Sequence, residues 1–112
     1  MNRPRVEVLY FAGCPNYERV HELVETTLAE LGLSSQVELI EVTDAGRASE
    51  VRFLGSPTVR VDGHDVEPGA DEREDFAFAC RVYRSGGAVL EVPEPIWIRE
   101  ALAAAVKRSR NP

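Results

Sequence analysis

The chain carries two cysteines, Cys14 and Cys80, in unlike settings. Cys14 lies in Gly13-Cys14-Pro15-Asn16-Tyr17, directly after the apolar stretch Val6-Glu7-Val8-Leu9-Tyr10-Phe11. A glycine closes the apolar run, and a proline suits the first position of a helix. The thiol is therefore expected at a helix N-terminus, where unpaired N–H groups and the helix dipole favour an anion. The thiolate is the reactive form of cysteine, and such a position lowers the thiol pKa. Cys80 sits in the apolar segment Phe78-Ala79-Cys80-Arg81-Val82-Tyr83. It reads either as a resolving partner for Cys14 or as an inert core cysteine, because free cysteine is among the most buried residue types. A bridge would need Cα atoms within about 7 Å. Arg81 and Arg84 flank Cys80, and either would stabilise a Cys14 thiolate if this segment covers the site.

The remaining reactive side chains are scattered. His21 lies seven residues beyond Cys14, which is about 10 Å along a helix axis, so it reads as a surface histidine rather than a catalytic partner. His64 falls in a turn. Two cysteines and two scattered histidines do not supply a four-ligand zinc site, whereas two thiolates together would hold a soft ion such as mercury or copper(I). Tyr17 is one turn from Cys14, placed either to touch its sulfur or to pack at the helix start. Arg60 alternates outward on its strand and reads as surface. Nothing in the sequence calls for a cofactor.

The elements that must position these groups follow from periodicity. Residues 5–11 read as a buried strand. A helix from Pro15 to about Leu31 shows Val20, Leu23, Val24, Leu28 and Leu31 on one face and stops at Gly32. Residues 36–43 read as a second strand, giving a βαβ unit with parallel strands and a right-handed crossover. A short helix is expected from Asp44 to about Leu54, with Asp44 as its N-cap. Val59-Arg60-Val61 and His64-Asp65-Val66 flank Asp62-Gly63, a hairpin signal. Residues 67–75 hold five acids and one arginine and read as a solvated loop. Residues 76–84 are apolar and return to the body of the fold, Gly86-Gly87 mark a turn, and a last helix runs from about Ile96 to Lys107. Ile96, Trp97 or Ile98, Leu102 and Val106 are its residues available for burial.

The 112 residues, 44% hydrophobic and 29% charged, fit one globular domain spanning 1–112. A net charge of −6 argues against nucleic acid as a partner, and the basic cluster Arg99, Lys107, Arg108 and Arg110 reads as a solvated helix end. No apolar run approaches the ~20 residues of a membrane span, and no cleavable apolar leader is seen. A cytoplasmic location is expected, with both thiols reduced at rest.

The order β-α-β, short helix, β-hairpin, helix resembles the thioredoxin-like superfamily over nearly the whole chain, apart from an insertion at about 67–93. Two motifs carry the resemblance. Cys14, with Pro15 after it, matches the attacking cysteine of the superfamily's Cys-x-x-Cys motif, and Ser56-Pro57-Thr58 matches its cis-proline. Tyr17 stands where the second cysteine would fall, so no Cys-x-x-Cys dithiol can form. The resemblance implies a single α/β domain with a mixed four-stranded sheet. It also implies a thiol–disulfide redox protein of the thioredoxin or glutaredoxin-like kind, with Cys14 as nucleophile. A protein or small-molecule thiol or disulfide would be its substrate, contacted by Ser56, Pro57, Pro15 and Tyr17. Cys80, or an external thiol such as glutathione, would resolve the mixed disulfide. The alternative is a non-catalytic module that binds a protein partner or a thiophilic metal. The Phe-x-Gly-Cys-Pro-Asn opening is also similar to small thioredoxin-like proteins labelled alongside alkylmercury lyases.

Overall fold

The computed structural model describes residues 3–110. Strand β1 (Val6–Tyr10) leads through a turn into helix α1 (Tyr17–Glu30) and strand β2 (Val37–Glu41). Helix α2 (Ala45–Glu50) precedes the hairpin of β3 (Thr58–Val61) and β4 (His64–Asp65). A single 3-10 turn (Ala70–Glu72), a second hairpin of β5 (Tyr83–Ser85) and β6 (Ala88–Leu90), and helix α3 (Pro95–Arg110) complete the chain.

The four-stranded sheet has the order β2-β1-β3-β4. β1 pairs with β2 in parallel, Val6 opposite Val37, and with β3 antiparallel, Val8 opposite Val59. The sheet is therefore mixed, as the βαβ unit followed by a hairpin requires. At the hairpin tip, Asp62 and Gly63 both take positive φ (51° and 83°), the backbone of the two-residue turn that Asp-Gly favours.

Two layers of side chains flank the sheet. On one face Val6, Val8, Val59 and Val61 meet Val20, Val24 and Leu28 of α1 and Ile98, Leu102 and Ala105 of α3. On the other, Leu9 meets Val42, Ala48 and Phe53 around α2. The alternation of Val8 and Leu9 is the strand period of two. Asp44 caps α2 as expected, its side chain accepting from the Arg47 N–H at 2.8 Å. In α3 the burial falls on Ile98, Leu102 and Ala105, while Ile96 is 49% exposed. Ile96 is only the second residue of the helix, before its inward face is established.

Three expectations are corrected. α2 ends at Glu50 rather than near Leu54, because Arg52 turns to a φ of +58°, outside helical space. Arg60 is half-buried instead of free on the surface: its guanidinium donates to the carbonyls of Val51 and Arg52 at 2.7 and 3.0 Å. It thereby fastens the end of α2 to β3, and burial pulls its pKa down. The acidic segment is not a loose solvated loop. Ala70 is buried in it, Glu67 accepts from two arginines, and Asp71 receives the Asp65 N–H at 2.9 Å. Asp71, Glu72, Glu74 and Asp75 are exposed as expected, and hydrogen bonding from Arg73 lowers the Asp75 carboxyl pKa to about 2.

Leu102 has no exposed surface and lies between α1 and the sheet. Leu102→Ala is expected to cost about 2–5 kcal/mol, measured by urea unfolding. Ile96→Ala, at the exposed end of the same helix, should stay within about 0.5 kcal/mol of the parent.

Candidate functional site

Three segments meet at one end of the sheet. The first is the turn after β1. The Cys14 N–H donates to the Phe11 carbonyl at 3.1 Å, and Gly13 supplies the φ of +92° that the turn requires. Cys14 is 5% exposed. Helix α1 starts at Tyr17 and not at Pro15, because the Asn16 carbonyl accepts the first helical bond, from Val20. Cys14 thus hangs in a turn ahead of the helix, and its own N–H is used locally.

The second segment is Gly55-Ser56-Pro57. The Ser56–Pro57 peptide bond is cis. Ser56 is buried, and its Oγ accepts from the Phe11 N–H at 3.3 Å. A single hydroxyl therefore ties the entry to β3 to the turn that carries Cys14.

The third segment, residues 76–82, is a strap laid across the second. The Ser56 N–H donates to the Ala79 carbonyl at 2.8 Å, and the Arg81 N–H donates to the Ser56 carbonyl at 2.9 Å. This pair forms a parallel β-bridge with Cys80 directly opposite Ser56. The Ala77 N–H reaches the Phe53 carbonyl at 2.9 Å, and the Tyr83 hydroxyl donates to the Pro57 carbonyl. The Phe78 ring meets the Phe11 ring edge-on at 5.3 Å, and Cys80 follows two residues later. It is exposed, not a core cysteine, because its neighbours Ala79 and Arg81 hold the strap down by backbone and leave its side chain outward. Both thiols are free.

Arg81 points the opposite way and is 3% exposed. Its guanidinium grips Asp65 with two bonds (2.8 and 3.1 Å), Glu67 at 2.8 Å and the Thr58 hydroxyl at 2.9 Å. It also lies over the Tyr83 ring, 4.3 Å from the centroid. Its Nε has no hydrogen-bond partner. Burial works against the Arg81 charge, yet Tyr83, Asp65 and Glu67 hold its pKa above the ordinary value, and burial also raises the Tyr83 hydroxyl. The expectation that Arg81 serves a Cys14 thiolate is corrected: its charge is spent on two carboxylates. Arg84 is exposed on β5.

Tyr17 stacks on Tyr10, with ring centroids 4.3 Å apart. Its hydroxyl pKa is raised, chiefly by the negative charge of Glu18 and next by desolvation. Tyr17 thus packs at the helix start, the second of the two roles expected of it. His21 pairs with Glu25 at 2.8 Å along α1, and the exposed His64 pairs with Asp71 at 3.1 Å. Among the described residues no three His, Cys, Asp or Glu side chains converge to hold a metal ion. No helix there is long and apolar enough to cross a membrane.

The buried Arg81 cluster is the feature the sequence reading missed. Its signal was present as a lone arginine in an apolar stretch, downstream of Asp65 and Glu67. The chain matches no protein-family model, no curated protein and no solved structure.

Arg81→Met leaves two carboxylates with little solvent and no guanidinium. A loss of about 3–5 kcal/mol is expected, read from the denaturant midpoint. Arg84→Met, on the exposed neighbouring strand, should change stability by less than about 0.5 kcal/mol.

Proposed function

We propose that this chain is a thiol–disulfide redox protein of the thioredoxin or glutaredoxin-like kind, with Cys14 as its nucleophile. One observation carries the reading. Cys80 is held opposite Ser56, and the Ser56 hydroxyl in turn holds the Phe11 N–H at the start of the turn that ends in Cys14. Two free cysteines, on segments far apart in sequence, are brought to one end of the sheet.

The chemistry balances with these groups alone and a disulfide substrate. The Cys14 thiolate attacks RS–SR; the S–S bond breaks, a Cys14–S–S–R bond forms, and RS⁻ leaves and takes up a proton. The Cys80 thiolate then attacks the Cys14 sulfur, releasing the second RSH and leaving a Cys14–Cys80 disulfide. An external thiol reductant restores both cysteines. In this reading Pro57 and Ser56 shape the floor of the site, Pro15 directs the chain into α1, and Tyr17 borders the sulfur. The low exposure of Cys14 also favours a second reading: a non-catalytic module whose two thiolates hold a soft ion such as mercury.

Mild oxidation followed by intact-mass thiol counting separates these. The wild-type monomer is expected to lose two hydrogens, while Cys14→Ser and Cys80→Ser each keep their single thiol; Cys14→Ser loses disulfide turnover, and Cys80→Ser keeps only the turnover that an external thiol resolves. Two thiols that stay free and exchange with no disulfide would sink the redox reading. The metal reading then requires that mercury raise thermal stability only when both cysteines are present.

A further inference from the structure

The strap of residues 76–82 takes up the backbone of Ser56 beside the turn that carries Cys14. An extended peptide that brings a disulfide to Cys14 gains its hold by adding its backbone to that of the protein. Ser56, linked through Phe11 to the Cys14 turn, carries a backbone N–H and carbonyl placed to pair with extended chain, as the strap itself shows. Both are already taken: the N–H by Ala79 and the carbonyl by Arg81. The strap is closed rather than poised to close. It is pinned at Phe53, at both sides of Ser56 and at Pro57, and its Arg81 is locked to Asp65 and Glu67. The fit beneath it leaves no slack. A Cβ added to Gly55 would lie 2.8 Å from the Arg81 Cβ and 3.0 Å from the Ala79 carbonyl oxygen. On its other side the Cys14 residue offers 5% of its surface.

We propose that residues 76–82 fill the peptide-pairing edge permanently and so restrict the site to low-molecular-weight disulfides, excluding extended polypeptide chains. This rests on the redox reading above and names the substrate class for it. The strap's backbone stands where a substrate peptide would pair, and Cys80 stands opposite Ser56 as such a peptide's residue would. A small disulfide needs no backbone partner, only access to sulfur. Once Cys14 holds the mixed disulfide, the exposed Cys80 closes the internal bond by the balanced steps given above.

The test compares two probes on the wild-type chain: hydroxyethyl disulfide, which has no backbone amide, and an unstructured peptide dimer joined by one disulfide. Each rate is divided by the rate of free dithiothreitol with the same probe, which removes intrinsic reactivity. Because the strap's backbone stands in the way of a substrate chain, hydroxyethyl disulfide is expected to react at least ~10-fold faster than the peptide dimer after normalisation, equivalent to about 1.4 kcal/mol in barrier. Equal normalised rates, or a faster peptide, would overturn the restriction and leave the redox reading standing. Inertness towards both probes overturns both. Amide hydrogen exchange provides a check that needs no variant. The Ser56 and Arg81 amides should be protected as well as those in the middle of β1, and rapid exchange at either would show that the edge is open.

Discussion

The arrangement of this molecule around its cysteines depends on one buried cation. Arg81 is withdrawn from water between Asp65, Glu67, Thr58 and Tyr83, and a guanidinium is tolerated there only because carboxylates meet it. Such a cluster is a poor source of net stability, since desolvation offsets most of the attraction. Its consequence here is register. Asp65 ends β4, Thr58 begins β3, and Arg81 lies on the strap, so the bidentate grip on Asp65 fixes how far the strap can slide. A shift of one residue would turn Arg81 outward and leave the two acids facing an apolar neighbour. The same register puts Cys80, and no other residue, opposite Ser56.

Gly55 makes the same point in steric terms. The strap crosses so closely that any side chain at this position would overlap Arg81 and the Ala79 carbonyl, and the φ of +125° is one that side-chain-bearing residues rarely adopt. The loop before β3 and the strap are therefore complementary surfaces. Ser56 serves both: its backbone holds the strap, and its hydroxyl holds the turn after β1. Burying Ser56 costs little because N–H, carbonyl and hydroxyl are all matched.

Much of the frame was legible in the sequence because it is written in short-range patterns. The alternation in β1, the apolar face of α1 at Val20, Val24 and Leu28, the Asp44 cap and the Asp62-Gly63 turn each follow from neighbours within a few residues. These suffice for a parallel β1–β2 pair and an antiparallel β3–β4 hairpin. The site was legible in part: the turn at Gly13-Cys14 and the Ser56-Pro57 step were recognised, and the structure sets them beside each other. The exact start of α1 was not, because Pro15 is compatible with the first helical position and with the turn that actually contains it. The strap and its ion cluster were missed for a different reason. Glu67 and Arg81 lie 14 residues apart, Asp65 and Arg81 lie 16 apart, and charges at such separations carry no periodic signature. Composition assigned the acids of residues 67–75 to solvent, whereas the fold uses one of them, Glu67, together with Asp65 of the hairpin, to neutralise a buried arginine.

The two cysteines consequently acquire opposite characters from the same constraint. Cys14 is buried because its turn is pulled onto Ser56 by the Phe11 N–H. Cys80 is exposed because backbone bonds on either side of it and the inward anchor of Arg81 leave its side chain the outward position. Loosening the strap would alter both at once, uncovering the Ser56 edge and releasing Cys80 from its place opposite it. Access to the buried thiol and presentation of the exposed one are thus not independent properties of this fold.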